Sequence, residues 1–67
     1  MLNWQEPSNN IHYGLNPDGR IMGEIKPKDE TLVALHLGHV VGRYLDVTLA
    51  KTAIERVNDT LDQEPAI

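Results

Sequence analysis

The chain is expected to be an α+β protein: a small antiparallel β-meander of three to four strands with one C-terminal α-helix packed on one face. Three observations predict this. Two short runs rich in leucine and β-branched residues meet at Gly38-His39, as the arms of a hairpin would. A strong turn signal, Asn16-Pro17-Asp18-Gly19, separates two further alternating runs. After Asp46 the pattern changes to apolar residues at three- and four-residue steps, the mark of an amphipathic helix.

The elements follow in order. Residues 1–10 hold the only tryptophan, Trp4, and then a polar Pro7-Ser8-Asn9-Asn10 stretch that reads as loop. Ile11-His12-Tyr13-Gly14-Leu15 alternates and is expected to be a strand. Past the turn, Arg20 to Lys26 reads as the next strand, with Ile21, Gly23 and Ile25 on one face. Pro27 is expected to stop it, since proline donates no ladder hydrogen bond. Lys28-Asp29-Glu30 is a polar loop.

A two-residue Gly38-His39 turn of type II′ would pair Leu37 with Val40, Leu35 with Gly42 and Val33 with Tyr44. Those six residues form an uncharged face, expected to be the core, with Gly42 against the helix near Ala50 or Ala53. The opposite face carries Leu32, Ala34, His36, Val41, Arg43 and Leu45, more apolar than a solvated face requires. Asp46 is the expected N-cap of a helix over residues 47–60. Its apolar stripe is Ala50, Ala53, Ile54, Val57 and Leu61, with Lys51, Glu55, Arg56 and Asp59 off it. Acidic residues near the C-terminal end and Pro65 predict fraying past Thr60 and a flexible tail over residues 62–67.

Composition bounds the function. At 67 residues the chain is expected to be one small domain, and a domain of roughly 60 residues buries only about 60% of its unfolded surface. No cysteine is present, so neither a disulfide nor a thiolate zinc site is available, and a cytoplasmic setting fits. No apolar run nears the length of a membrane helix, and a product starting at Met1 carries no secretory signal pattern. His12, His36 and His39 are the only soft metal ligands, and on this hairpin register His36 and His39 point apart, so no metal or other cofactor is expected. Glu24 beside Met22 is expected to face water. No phosphate loop, nucleophile elbow or zinc-protease motif occurs, and an enzyme is not expected. Asn58-Asp59-Thr60 matches a glycosylation acceptor only by chance, and Lys51 and Glu55 read as a solvated pair.

Small size and the apolar second face together predict association, most simply a two-fold dimer. The candidate interface is Leu32, Val41, Arg43 and Leu45, with Trp4. The alternative is that residues 1–10 fold over this face and cover it.

Two resemblances add to this reading. Tyr13, Gly19-Arg20-Ile21-Met22-Gly23-Glu24-Ile25, Leu35-His36-Leu37-Gly38 and Val41 through Ala53 form a skeleton similar to sheet-plus-helix DNA-binding domains. Those are the ethylene-response-factor domains and the arm-binding domains of phage integrases. That resemblance implies DNA contacts from the exposed sheet face, where this chain offers Lys26 and Arg43. Six basic residues face ten acidic ones, and the formal charge of −4 makes nucleic acid an unexpected partner.

The run Val41-Gly42-Arg43-Tyr44-Leu45-Asp46, followed by Leu49-Ala50-Lys51-Thr52-Ala53-Ile54-Glu55 and preceded by Trp4, resembles short uncharacterised phage and prophage accessory proteins. This implies a small cytosolic module that acts by protein–protein contacts, inhibiting or modulating a host protein. A structural homo-oligomer without another partner is the remaining class.

Overall fold

The computed structural model describes residues 1–8 and 10–62, the last two by backbone alone. Five strands and one helix follow in the order β1 Asn3–Ser8, β2 Ile11–Leu15, β3 Ile21–Lys28, β4 Thr31–His36, β5 His39–Tyr44 and α1 Val47–Asp62. The strands form one antiparallel sheet in chain order, so every connection is a hairpin. The helix lies across β3, β4 and β5 on one face. The α+β meander with a C-terminal helix is as the sequence predicts, with a fifth strand added by the N-terminal segment.

That extra strand, β1, is invisible in local pattern because Asn3-Trp4-Gln5-Glu6-Pro7-Ser8 has little strand propensity. Pairing with β2 through Asn3–Leu15, Trp4–Gly14 and Gln5–Tyr13 forms it instead. β3 likewise continues through Pro27 to Lys28. The β2 ladder reaches β3 only as far as Ile25, so the missing proline N–H withdraws no bond from it.

The turns carry their own chemistry. Asn16 Oδ1 accepts from the amides of Asp18 and Arg20, both at 3.0 Å, and Gly19 takes the left-handed position at φ 84°. Asp29 and Glu30 close the β3–β4 hairpin, both at positive φ. The β4–β5 loop is Leu37-Gly38, at φ 52° and 83°, and not Gly38-His39. Two successive positive φ values make it a type I′ turn, whose twist matches the flanking strands.

This loop changes the register: His36 faces His39 and Leu35 faces Val40. An irregularity between Ala34 and Leu35 leaves Val41 as the extra residue, after which Ala34 faces Gly42 and Leu32 faces Tyr44. The helix-covered side of β4 is therefore Leu32, Ala34 and His36, the reverse of the expected core face. A second irregularity, at Met22, turns exposed Ile21 to the side opposite Gly23 and Ile25, so these three do not share a face.

Small residues explain why the helix chose this face. Gly14, Gly23, Ala34 and Gly42 all lie on it, one on each strand from β2 to β5. A Cβ on Gly23 would stand 2.6 Å from Ile54 Cγ2, so only glycine lets the helix sit this low. Gly42 also lies on the helix side, but its neighbour is the Tyr44 ring and hydroxyl, and neither Ala50 nor Ala53 takes that place. The core is Leu2, Ile25, Ala34, Ala50 and Ile54, bordered by Trp4, Met22, Leu32, Val41, Tyr44 and Val47.

The helix begins as predicted: Thr48 N donates to Asp46 Oδ1 at 3.0 Å and Ala50 N to the Asp46 carbonyl at 3.1 Å. It continues to Asp62, two residues past the expected Thr60. Ala50 and Ile54 are fully buried on its inner stripe. The side chain of Leu61, and the tail over residues 63–67, lie outside the described residues.

Candidate functional site

Packing the helix on one side leaves the other side of the sheet uncovered among the described residues. The register defines what stands there. One cross-strand row runs Gln5, Tyr13, Glu24, Leu35, Val40, through all five strands. A second row is Lys26, Val33, Arg43. A third is Asn3, Leu15, Ile21. Val33 and Leu35 are at the centre, on the middle strand of the last three, and Val40 is 67% exposed. Glu24 and Lys26 hold each other at 3.2 Å, while Arg43 has no carboxylate partner among the described residues. The face is thus an apolar field with one neutralised ion pair and, among the described residues, two cations without a carboxylate partner, Arg43 and, at the end of β3, Lys28.

The expected interface residues divide between the two sides. Leu32, Val41 and Trp4 are half-buried against the core on the helix side and do not form an open patch. Arg43 lies on the open face. Leu45 is 83% exposed in the link between β5 and α1. The alternative of an N-terminal cover is met in part: the helix covers the Leu32–Val41 side, and Leu2 and Trp4 of the N-terminal segment fill the space beside it. The two basic residues named for DNA contact, Lys26 and Arg43, do share a row.

Tyr13, Leu15, Val33, Leu35 and Val40 are the open-face residues that the sequence reading did not assign to it. A signal for them existed. The small residues Gly14, Gly23, Ala34 and Gly42 recur one per strand, and their neighbours point the other way except Met22 and Val41 at the two irregularities.

The remaining polar groups are structural. His36 Nε2 and Asn58 Oδ1 are 3.1 Å apart, both residues buried between sheet and helix. His36 and His39 are direct cross-strand partners and do not point to opposite faces as expected. His12 Nε2 is 3.9 Å from Glu6. Among the described residues no three metal-ligating side chains converge. Lys51 and Glu55 are not a solvated pair: Glu55 accepts from the Leu2 amide and the Trp4 indole, and Lys51 Nζ stands 5.7 Å above the Trp4 ring. Glu24 is only half-exposed, held by Lys26. Among the described residues no helix is long and apolar enough to cross a membrane.

Compared with known families, curated proteins and solved structures, the chain matches none.

Proposed function

We propose that the chain is a small acidic protein-binding module of the phage accessory type, working in the cytoplasm through the open face of its sheet. The observation that carries this is the Val33–Leu35 centre of that face, apolar and without a covering element among the described residues. Contiguous apolar surface of this kind tends to be an interface. In its simplest form the partner is a second copy, two open faces stacking as the layers of a sandwich. The face suits this better than the chain as a whole does. The chain carries a formal charge of −4, whereas the face carries Glu24 against Lys26, Lys28 and Arg43, a small positive excess placed around the apolar centre and not on it. A host protein can use the same surface, and modulation of that protein would follow from occupying it. Catalysis has no support from the arrangement of the side chains.

Sedimentation at tens of micromolar tests the self-association. The wild type is expected to sediment as a dimer and Leu35→Glu as a monomer with an unchanged helical signal. A monomeric wild type would reject the dimer.

A nucleic-acid reading has one observation in its favour, the Lys26–Val33–Arg43 row on the open face. It is weakened by Glu24, which neutralises Lys26 at 3.2 Å. That leaves Lys28 and Arg43 on this face, two contacts against a chain of formal charge −4, and phosphate contacts supply most non-specific affinity.

A further inference from the structure

The two edges of the sheet are unlike. β1 is blunted by Pro7, by Glu6 and by an irregular register between Gln5 and Ser8. β5, His39-Val40-Val41-Gly42-Arg43-Tyr44, has no proline, no lysine and no carboxylate. Its bulge at Val41 divides it, leaving Gly42 to Leu45 as the continuous free edge. Gly42 presents no side chain to hold an incoming backbone away.

Beside this edge, on the helix side, is a trough of about 430 Å³ lined by Tyr44, Leu49, Thr52, Ala53 and Arg56. Leu49, 56% exposed, and Leu45 are apolar side chains with nothing over them among the described residues. The charges here oppose the chain's own sign. Arg56 is the only residue lining the trough that carries a charge at neutral pH, and Arg43 stands on the other side of β5. Asp46, the carboxylate nearest to Arg43 in sequence, has its Oδ1 turned to the Thr48 amide at 3.0 Å, and Glu55, next to Arg56, accepts from the Leu2 amide and the Trp4 indole.

We propose that the β5 edge takes an extended acidic and apolar segment of a partner protein as an added strand. Backbone hydrogen bonds to the free edge give the affinity. On the helix-side face of the added strand, apolar side chains and one acidic residue enter the Tyr44–Leu49–Ala53 trough, where the acid meets Arg56; on its other face, acidic side chains meet Arg43. A second copy does not fit as well, because β5 has no carboxylate to answer Arg43. The inference rests on the reading of the chain as a protein-binding module but uses the β5 edge and the helix-side trough, and shares only Arg43 with the open face.

The test is fluorescence anisotropy with a labelled peptide of about eight residues alternating valine and glutamate, with one valine replaced by glutamate so that both faces carry an acid, at about 50 and 150 mM salt. Saturable binding is expected in the micromolar range, weaker at the higher salt. It should fall by about tenfold or more in Arg56→Glu and in Arg43→Glu, both at exposed positions. A valine–lysine peptide should not bind, and hydrogen exchange should slow at β5 amides when the acidic peptide is present. Absence of binding, or equal binding of the lysine peptide, would overturn the proposal. Binding lost in Leu35→Glu but indifferent to Arg56→Glu would overturn it and leave the open-face reading standing. Protection of β5 that rises with protein concentration without peptide would overturn it in favour of a second copy. Peptide binding on β5 by a chain that stays monomeric would uphold it while removing the open-face dimer.

Discussion

The Trp4 indole Nε1 donates to Glu55 Oε2 at 3.1 Å, joining the edge strand β1 to the middle of the helix across 51 residues of chain. The Leu2 amide donates to the same carboxylate at 3.0 and 3.2 Å. One side chain thus holds an N-terminal strand that has little strand propensity of its own. Glu55→Ala should cost about 2–3 kcal/mol, as loss of hydrogen bonds to a charged, partly buried acceptor. Denaturant unfolding gives the energy, and a red shift of the Trp4 emission reports release of β1. An unshifted emission would show that pairing with β2 alone holds the strand.

Gly23 and Gly42 separate two kinds of glycine. Gly23→Ala places a Cβ 2.6 Å from Ile54 Cγ2, inside a fully buried contact, and should destabilise by about 1–3 kcal/mol. Gly42→Ala meets the Tyr44 hydroxyl at 2.8 Å, and the far end of that ring can swing aside. Its cost should be the smaller of the two. Paired thermal melts decide it, and equal costs would show that Tyr44 is as immobile as the helix.

Leu37 combines a φ of 52° with 52% exposure. A β-carbon in the left-handed region costs roughly 1–2 kcal/mol, and asparagine tolerates it better. Leu37→Asn should therefore stabilise the fold by about 1 kcal/mol, measured by the denaturation midpoint. A loss of stability would mean that the exposed leucine contributes packing at the hairpin tip.

Asp46→Ala removes the acceptor for the Thr48 amide and should cost about 1 kcal/mol. Asp46→Asn, which keeps an acceptor, should recover most of it. A chemical melt of the three proteins checks the order.

Binding of random duplex DNA should be undetectable at about 150 mM salt, despite the shared row of Lys26 and Arg43. Anisotropy titration is the measurement. Micromolar binding that falls steeply with salt would place Arg43 at the centre of a DNA site.

Local chemistry was sufficient for several elements. Asn16-Pro17-Asp18-Gly19 specifies its turn through backbone angles and a side-chain acceptor only two residues away. Asp46 and the Ala50–Ile54 stripe specify where the helix starts and which side it buries. These depend on neighbours in sequence, so a single chain displays them. The α+β class follows from their order.

The face on which the helix settles was decided elsewhere. Apolarity favoured Val33 and Leu35, while closeness of approach favoured Gly23 and Ala34, and closeness prevailed because packing is felt at the scale of one methyl group. The hairpin loop at Leu37-Gly38 and the extra Val41 then set which residues share that face. β1 likewise depends on Gly14, on β2, and on Glu55 far along the chain. Long-range contacts of this kind leave no periodicity behind. The open Val33–Leu35 face, and with it the candidate site, was therefore placed by the tertiary structure, and the small residues, one on each strand from β2 to β5, are its trace in the sequence.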